Sequence, residues 1–423
     1  MFFTATTKTL APPNHSLNRG KCKLRKSPTL ARRLLFFCLH SERGIEFEVG
    51  DAFYREESRI GRDLGVLSAS IYKQENSHLR VLDAMCGSGI RSCRYLVQSE
   101  ADFVLANDAN EDSRTLIVGN LERVDSNSIT STDPKRWTVT HQEANRLLSE
   151  CYLERNYFDL IDIDSFGSES MFVRSAMLAV KLGGLLYLTH TDGYSSGGHR
   201  PYQSLAAYGS FVRPMPYSNE IGLRMLLGGA IREASVIGYR ITPLFSYYSY
   251  HGPVFRVMLK LVKGKLSEDR QYGFISYCHR CGNSRSFTFP EVGKINCLCS
   301  DKRPSITVSG PLYTGPLHSG DYVREMLNLA KKWGWAEGEN EMEKLLNVLI
   351  DESDERLPPG YIKVDEVAKR GKINSPPMKG LISAILKEGY AVSRSHIVSN
   401  AIKTDCPLSE CVAIAQKLQV SCS

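Results

Sequence analysis

Residues Val81 to Ser92 read VLDAMCGSGIRS. An apolar run closes on Asp83, Gly87 and Gly89 make a turn, and a helix-compatible stretch follows. That order brings backbone N–H groups up against a small polar ligand. A second strand, FDLIDIDSFGS (Phe158 to Ser168), ends in Asp164 and Phe166. In open α/β sheets ligands bind in the crevice off the carboxyl ends of the strands, so a carboxylate and an aromatic there face a ligand. Between the two, FVLA (Phe103 to Ala106) leads into Asn107 and Asp108, an acid about twenty positions after the glycines, where a ribose needs an acceptor. Trp137 to Thr140 then opens into Gln142, Glu143, Ala144 and Asn145, a polar turn placed to meet an adenine edge. Three strand-then-acid units favour a nucleoside-bearing ligand.

Asp164 then needs a chemical role. The lone pair of an exocyclic amine on guanine or adenine is delocalised into the ring, so a methyl donor beside it is insufficient without an acceptor for the N–H. Asp164 would be that acceptor, acting by positioning and electrostatics, with Phe166 stacking on the base. The pattern points to S-adenosylmethionine-dependent methylation of a flat base. Asp162 and Asp164 as strand-end caps, with Phe166 in the core, is the plainer alternative. The expected fold is α/β: a Rossmann-like class I methyltransferase domain with a smaller α+β C-terminal domain.

From about Phe47 to Asp405 the chain resembles the tRNA (guanine-26-N2)-dimethyltransferases, in an organelle-targeted, plant-type form. The segments that carry the resemblance are FYREESRIGRDLGVL (Phe53 to Leu67), DAMCGSGIR (Asp83 to Arg91), ANDAN (Ala106 to Asn110), EANRLL (Glu143 to Leu148), FDLIDIDSFGS, NEIGLRMLLGGAIREA (Asn219 to Ala234) and SGPLYTGPLH (Ser309 to His318). The resemblance implies mono- or dimethylation of a guanine N2 amine in tRNA. It makes Asp164 catalytic and places Phe53 and Phe166 around the target base. Arg62 and Arg91 would contact the methionine end of the cofactor, Asp83, Gly87 and Gly89 its cradle, Asp108 the ribose, and Glu143 and Ala144 the adenine. The family's usual proline after the catalytic aspartate is Ser165 here, and its usual Asp is Glu143. Two other classes stay open: methylation of another exocyclic amine, and a non-catalytic tRNA-binding protein on the same scaffold.

At 423 residues and 42% hydrophobic, the chain is long enough for two cores. Its net charge of +7 misleads, because residues 1–41 hold eight Lys or Arg and no acid. The remaining 45 basic residues face 46 acidic ones, a net of −1. An RNA-binding surface must therefore be a local patch. The leader itself has the composition of an organellar transit peptide, its Thr-rich start favouring a chloroplast over a mitochondrion; a basic RNA-gripping arm is the alternative. No apolar run approaches the roughly 20 residues of a membrane span.

Cys278 and Cys281 form a CxxC, and fifteen residues later Cys297 and Cys299 form a CxC. Two thiolate pairs on two turns can close a tetrahedral structural Zn²⁺ site; buried thiols or a redox pair are the alternatives, with Cys86 and Cys93 as packing residues. Residues 42–264 are expected to form the methyltransferase domain and 265–423 a C-terminal tRNA-binding domain carrying the cysteine knuckle. Helices are expected over Glu220–Ile237, Asp321–Trp333 and Glu339–Ile350, then two short helices and a hairpin in a winged-helix-like layout. There Lys369, Arg370, Lys372, Lys379, Lys387, Arg394, His396 and Lys403, with Tyr390 among them, are expected to meet RNA.

Overall fold

The computed structural model describes residues 39–125, 135–264, 271–297, 299 and 305–421. The expected transit peptide therefore lies outside the described residues up to residue 38, as do residues 265–270, which open the expected C-terminal domain.

The first half alternates strand and helix. After a hairpin of β1 (Leu39–Glu42) and β2 (Ile45–Glu48) come α1 (Arg59–Asn76), β3 (Arg80–Asp83), α2 (Ile90–Val97), β4 (Phe103–Asn107), α3 (Arg114–Asp125), β5 (Trp137–Thr140), α4 (Ala144–Leu153), β6 (Phe158–Asp164), α5 (Ser170–Ala179) and β7 (Val180–His190). Two short helices, α6 (Gly193–Ser196) and α7 (Pro201–Tyr208), lead to α8 (Ser218–Val236) and the strands β8 (Tyr239–Ser249) and β9 (Val254–Lys263). The seven strands form one sheet in the order β5-β4-β3-β6-β7-β9-β8. The first five run parallel; β9 is antiparallel to β7 and β8 to β9. Strand order reverses between β3 and β6, the crevice position expected from the sequence.

Alternation along the strands sorts their side chains. Leu82, Leu105, Ile161, Ile163, Leu186 and Leu188 pack with α4, α5 and α8 on one face, whereas Val81, Val104, Leu160, Leu185 and Tyr187 pack with α1, α2 and α3 on the other. Residues two apart share a face, so Asp162 and Asp164 both look toward the α1–α2 side, where Asp83 is in register with Asp162.

Helix α1 is buried from Ile60 to Tyr72, because a second layer covers it. After β10 (Tyr272–Cys278), β11 (Ser284–Phe287) and β12 (Ile306–Tyr313), helices α9 (Gly320–Lys332) and α10 (Glu341–Asp351) join the same core through Val323, Met326, Ala330, Leu346 and Leu349. The chain beyond residue 264 thus returns to complete the core of the seven-stranded sheet. The burial of α1 includes Arg62 and Asp63, which enter an ionic network: Glu42 with Arg62 (2.6 Å) and Arg94 (2.5 Å), and Asp63 with Arg94 (2.6 Å) and Arg43 (2.7 Å). The guanidiniums of Arg43 and Arg94 lie 4.8 and 5.2 Å from the Trp335 ring. Hairpin, α1, α2 and the α9–α10 layer are thereby tied together.

The C-terminal module has its own small core, built from β13 (Ile362–Lys363), α11 (Val364–Gly371), α12 (Met378–Lys387), β14 (Val392–Arg394), β15 (Ala401–Thr404) and α13 (Leu408–Ser421). Two helices and a hairpin follow the winged-helix-like layout. Three of its expected RNA contacts have other partners. Lys403 is buried and pairs with Glu220 of α8 at 2.6 Å. The His396 ring is buried, its Nδ1 2.8 Å from Glu352, and Arg370 holds Glu366 at 2.6 Å and the Arg280 carbonyl at 2.7 Å. A lysine or histidine in a charge-rich stretch looks solvated in sequence, but here it meets a buried carboxylate from a distant element. Lys369, Lys372, Lys379, Lys387 and Arg394 are exposed, as an RNA-facing patch requires.

Candidate active site

The glycine turn is held by two long-range backbone bonds, Ala84 N donating to Asp162 O (3.0 Å) and Cys86 N to Asn107 O (2.8 Å), and by a local one from Gly89 N to Cys86 O (2.8 Å). Gly87 (φ +57°) and Gly89 (φ +81°) occupy the left-handed region that favours glycine. Nothing lies within 4 Å of the place a Cβ would take on Gly87. The turn walls a cavity of about 390 Å³ together with Phe53, Arg62, Asp83, Arg91, Asp108, Asp164 and Phe166. Seven expected site residues, far apart in sequence, are thus brought together, and Gly87 makes an eighth.

Asp108 braces this turn, Oδ2 accepting Gly87 N and Oδ1 accepting Asn110 N, both at 2.9 Å. Arg62 stands in the wall but donates Nε and Nη2 to Glu42 and Nη2 also to the Arg55 carbonyl. Glu143 caps α4, accepting from Asn145 N (3.1 Å) and Arg146 N (3.0 Å), and Ala144 is buried in the core beneath. Neither Glu143 nor Ala144 lines this cavity, because the capping geometry folds the carboxylate back on its own helix. A Cβ on Gly89 would lie 3.3 Å from the Ile117 side chain, so Gly89 shapes the turn from behind.

Deeper in lies a cluster of three carboxylates and two arginines. Arg91 clamps Asp162 through Nη1 and Asp164 through Nη2. Its expected cofactor contact therefore has competition from two acids of β6. Tyr95 donates to Asp162 (2.7 Å), and Ser92 to Asp83 (2.7 Å). Arg256 of β9 stands 3.6 Å from the other oxygen of Asp164. Its Nε and Nη1 are buried without a hydrogen-bond partner, and a Cβ at Gly61 would come within 2.7 Å of Nη1, so a side chain there would have to displace the guanidinium. Burial raises the Asp83 carboxyl to about 7 against the pull of Arg91, with the charge of Asp162 adding to the rise. Burial would raise Asp164 as well, but Arg91 and Arg256 override it and hold the carboxyl at about 2. Asp164 is thus a fixed carboxylate whose side chain remains 30% exposed to the cavity.

Phe53 and Phe166 meet edge to face with centroids 5.0 Å apart, yet they are 59% and 74% exposed. Ser165, in the proline position, donates its hydroxyl to Thr189 O at 3.2 Å. Sequence reasoning missed Arg256 and the pairing role of Asp162. The signal for Arg256 was a single arginine inside the apolar strand VFRVMLKLVK, where a buried charge needs a buried partner.

The four knuckle cysteines converge, with Cys278 and Cys299 sulfurs 3.7 Å apart and those of Cys281 and Cys297 3.5 Å apart. Tetrahedral Zn–S bonds of about 2.3 Å put sulfurs about 3.8 Å apart, whereas a disulfide needs about 2.05 Å. His279 turns to Thr307 instead, at 2.8 Å. Cys86 and Cys93 are buried, their thiols pushed up by burial, as packing residues would be. A second convergence, His318, Glu352 and His396, does not suit a metal. His318 Nδ1 accepts Ser246 N (3.3 Å), so its Nε2 keeps the hydrogen it gives to Glu352 (3.1 Å). That group is a polar joint between the sheet and the C-terminal module.

Among the described residues no helix is long and apolar enough to cross a membrane. The family model for N2,N2-dimethylguanosine tRNA methyltransferase matches residues 41–416. A tRNA (guanine(26)-N(2))-dimethyltransferase of Saccharolobus solfataricus is 30% identical over 361 residues, 84% of this chain and 87% of that protein. One from Pyrococcus abyssi is 29% identical over 364 residues, 84% of this chain and 90% of that protein. The structure of Trm1 from Pyrococcus horikoshii with S-adenosyl-L-methionine is similar at a TM-score of 0.73 and 25% identity, over 89% of this chain and 99% of that one.

Proposed function

We propose, for a chain that belongs to the N2,N2-dimethylguanosine tRNA methyltransferase family, the reaction of that family: mono- or dimethylation of the N2 amine of guanine 26 in tRNA, with S-adenosylmethionine as donor. The observation that carries this reading is Asp164, a fixed carboxylate at the carboxyl end of β6, which shares one cavity with the glycine turn and two exposed phenylalanines.

The residues present fit the cofactor. The cavity of about 390 Å³ is of small-ligand size. Open space lies beside Gly87, and Asp108 stands where a ribose acceptor is needed. When bound, S-adenosylmethionine supplies an electrophilic methyl group on a sulfonium. Asp83, Gly87 and Asp108 would hold it, with Arg62 and Arg91 in the wall; Gly89 shapes the turn. Phe53 and Phe166 receive the flat base on their exposed faces. Asp164 accepts an N–H of the N2 amine, fixes the direction of the remaining lone pair and offsets the positive charge that develops on nitrogen. Arg91 and Arg256 keep that carboxylate ionised and in place.

Cys278, Cys281, Cys297 and Cys299 would hold a structural zinc ion, a reading supported by sulfur spacings of tetrahedral size. The acid-free leader supports delivery to a chloroplast; residues 1–45 fused to a fluorescent reporter should enter plastids, and a diffuse cytosolic signal would reverse that reading.

The function is tested by incubating the purified chain with tRNA and labelled S-adenosylmethionine, then separating nucleosides by mass spectrometry. Label should appear in N2-methyl- or N2,N2-dimethylguanosine and vanish when inosine, which lacks the amine, replaces guanine 26. Label in another nucleoside, or none, overturns the assignment.

A further inference from the structure

The exposed aromatics do not stop at Phe53 and Phe166. The turn bearing Phe166 is tied to the segment after β7, Gly167 N donating to Thr191 Oγ1 (2.6 Å) and Thr191 N to Gly167 O (2.8 Å). Asp192 then caps α6 through the amides of Tyr194 and Ser195, both at 3.1 Å. This presents Tyr194 with 64% of its surface open. The Arg200 guanidinium lies 4.9 Å from the Tyr194 ring.

The turn between β8 and β9 stands alongside, since His190 at the end of β7 is in register with Phe255. It abuts α6 so closely that a Cβ on Gly193 would lie 2.7 Å from Pro253. Its tip carries Tyr250, 73% exposed, and His251, their ring centroids 3.8 Å apart. Arg55 closes the circuit, donating Nη1 to the His251 carbonyl (2.9 Å) while its guanidinium lies 5.1 Å from the Phe53 ring.

Phe53, Arg55 and Phe166 line the cavity, and Tyr194 and Tyr250 lie outside its wall but are tied to it through Thr191 and Arg55. Large rings left open in this way are not serving a core, and grouped exposed apolar surface marks an interaction site. Rings interleaved with arginine and histidine suit unstacked bases and their phosphates. A base extruded for chemistry leaves its neighbours without stacking partners. The geometry points to a rim, Tyr194 with Arg200 on one side and Tyr250 with His251 on the other, that receives the nucleotides flanking the target guanine. This rests on the tRNA methyltransferase reading above, and continuity with the cavity and the basic flanks select RNA over an apolar protein segment as the occupant.

The test uses the full chain and tRNA at fixed salt, with binding followed by fluorescence anisotropy and methyl transfer followed separately. Tyr250→Ala and Tyr194→Ala should each weaken tRNA binding roughly 5- to 100-fold. Affinity for S-adenosylmethionine and the melting temperature should stay at wild-type values. Tyr250→Phe and Tyr194→Phe, which keep the ring face, should restore binding. Arg200→Ala should also lower the salt dependence by about one phosphate contact. Unchanged tRNA affinity in both alanine variants overturns the rim, as does a phenylalanine variant that binds as poorly as its alanine counterpart. Methyl transfer by the wild type together with unchanged binding in the variants removes the rim alone. Ring-dependent binding without methyl transfer by the wild type upholds the rim and removes the enzyme assignment.

Discussion

Asp164→Asn isolates the charge of the acceptor from its shape. The amide oxygen can still receive Arg91, which now contacts a carboxylate oxygen, so the side chain should remain in place. What disappears is the negative charge facing the cavity, fixed in the wild type because Arg91 and Arg256 hold the carboxyl at about 2. Removing one preorganised group that stabilises developing charge costs about 10²- to 10³-fold in rate, equal to roughly 3–4 kcal/mol of barrier. Alanine would be a poorer probe, since it leaves Arg256, 3.6 Å away, with no polar partner at that position. Because the effect falls on the transition state, kcat should drop while the KM for tRNA stays within a few-fold of wild type. Single-turnover transfer of labelled methyl groups to tRNA measures the rate, and calorimetric titration measures cofactor affinity. Turnover within about threefold of wild type would refute the acceptor role; a lost cofactor affinity with normal chemistry would instead make Asp164 part of the cofactor cradle.

Lys403→Met should cost about 3 kcal/mol in urea unfolding, near the low end for a broken buried pair because Glu220 keeps Arg224 (2.8 Å) and the Gly360 amide (2.8 Å); unchanged stability would mean that the pair does not hold the C-terminal module. Cys281→Ser should lower thermal stability and tRNA affinity while cofactor affinity changes little, and metal analysis of the wild type purified with reduced thiols should find one zinc per chain. Burial would raise the Glu42 carboxyl, but Arg62 and Arg94 hold it at about 2 instead of its ordinary 4.5. A lowered folded-state value means stability present above pH 4.5 and lost as pH falls toward 2, roughly 3 kcal/mol. A Glu42→Gln variant should lack that loss; parallel pH curves for the two proteins would count against the network.

What was legible in the sequence was local. Gly87 and Gly89 follow a strand and open a helix within one short stretch, and Asp164 with Phe166 marks a strand end without reference to anything distant. The cysteine pairs likewise declare themselves by spacing. The rest depended on partners brought from afar. Arg62 and Arg91 read as free cationic contacts, yet each is met by carboxylates twenty and about seventy residues away. His396 and Lys403 sit in a stretch that looks solvated, and only the folded chain brings them to Glu352 and Glu220. The return of α9 and α10 onto α1 was hidden too, because an amphipathic helix shows that it has a buried face without naming the surface that covers it.

The position of Glu42 sets a limit on shortening the chain. It lies four residues into the described structure, in a strand of only four residues, yet it stands between two arginines that are themselves buried. Cleavage ahead of Leu39 leaves that arrangement intact. Cleavage four residues later removes the shared acid, leaving Arg62 in the interior without a carboxylate and Arg94 with Asp63 as its one remaining carboxylate, a loss of about 3–5 kcal/mol. Any protease that matures or nicks this amino-terminal region therefore acts on either side of a sharp threshold between a stable enzyme and one prone to unfolding.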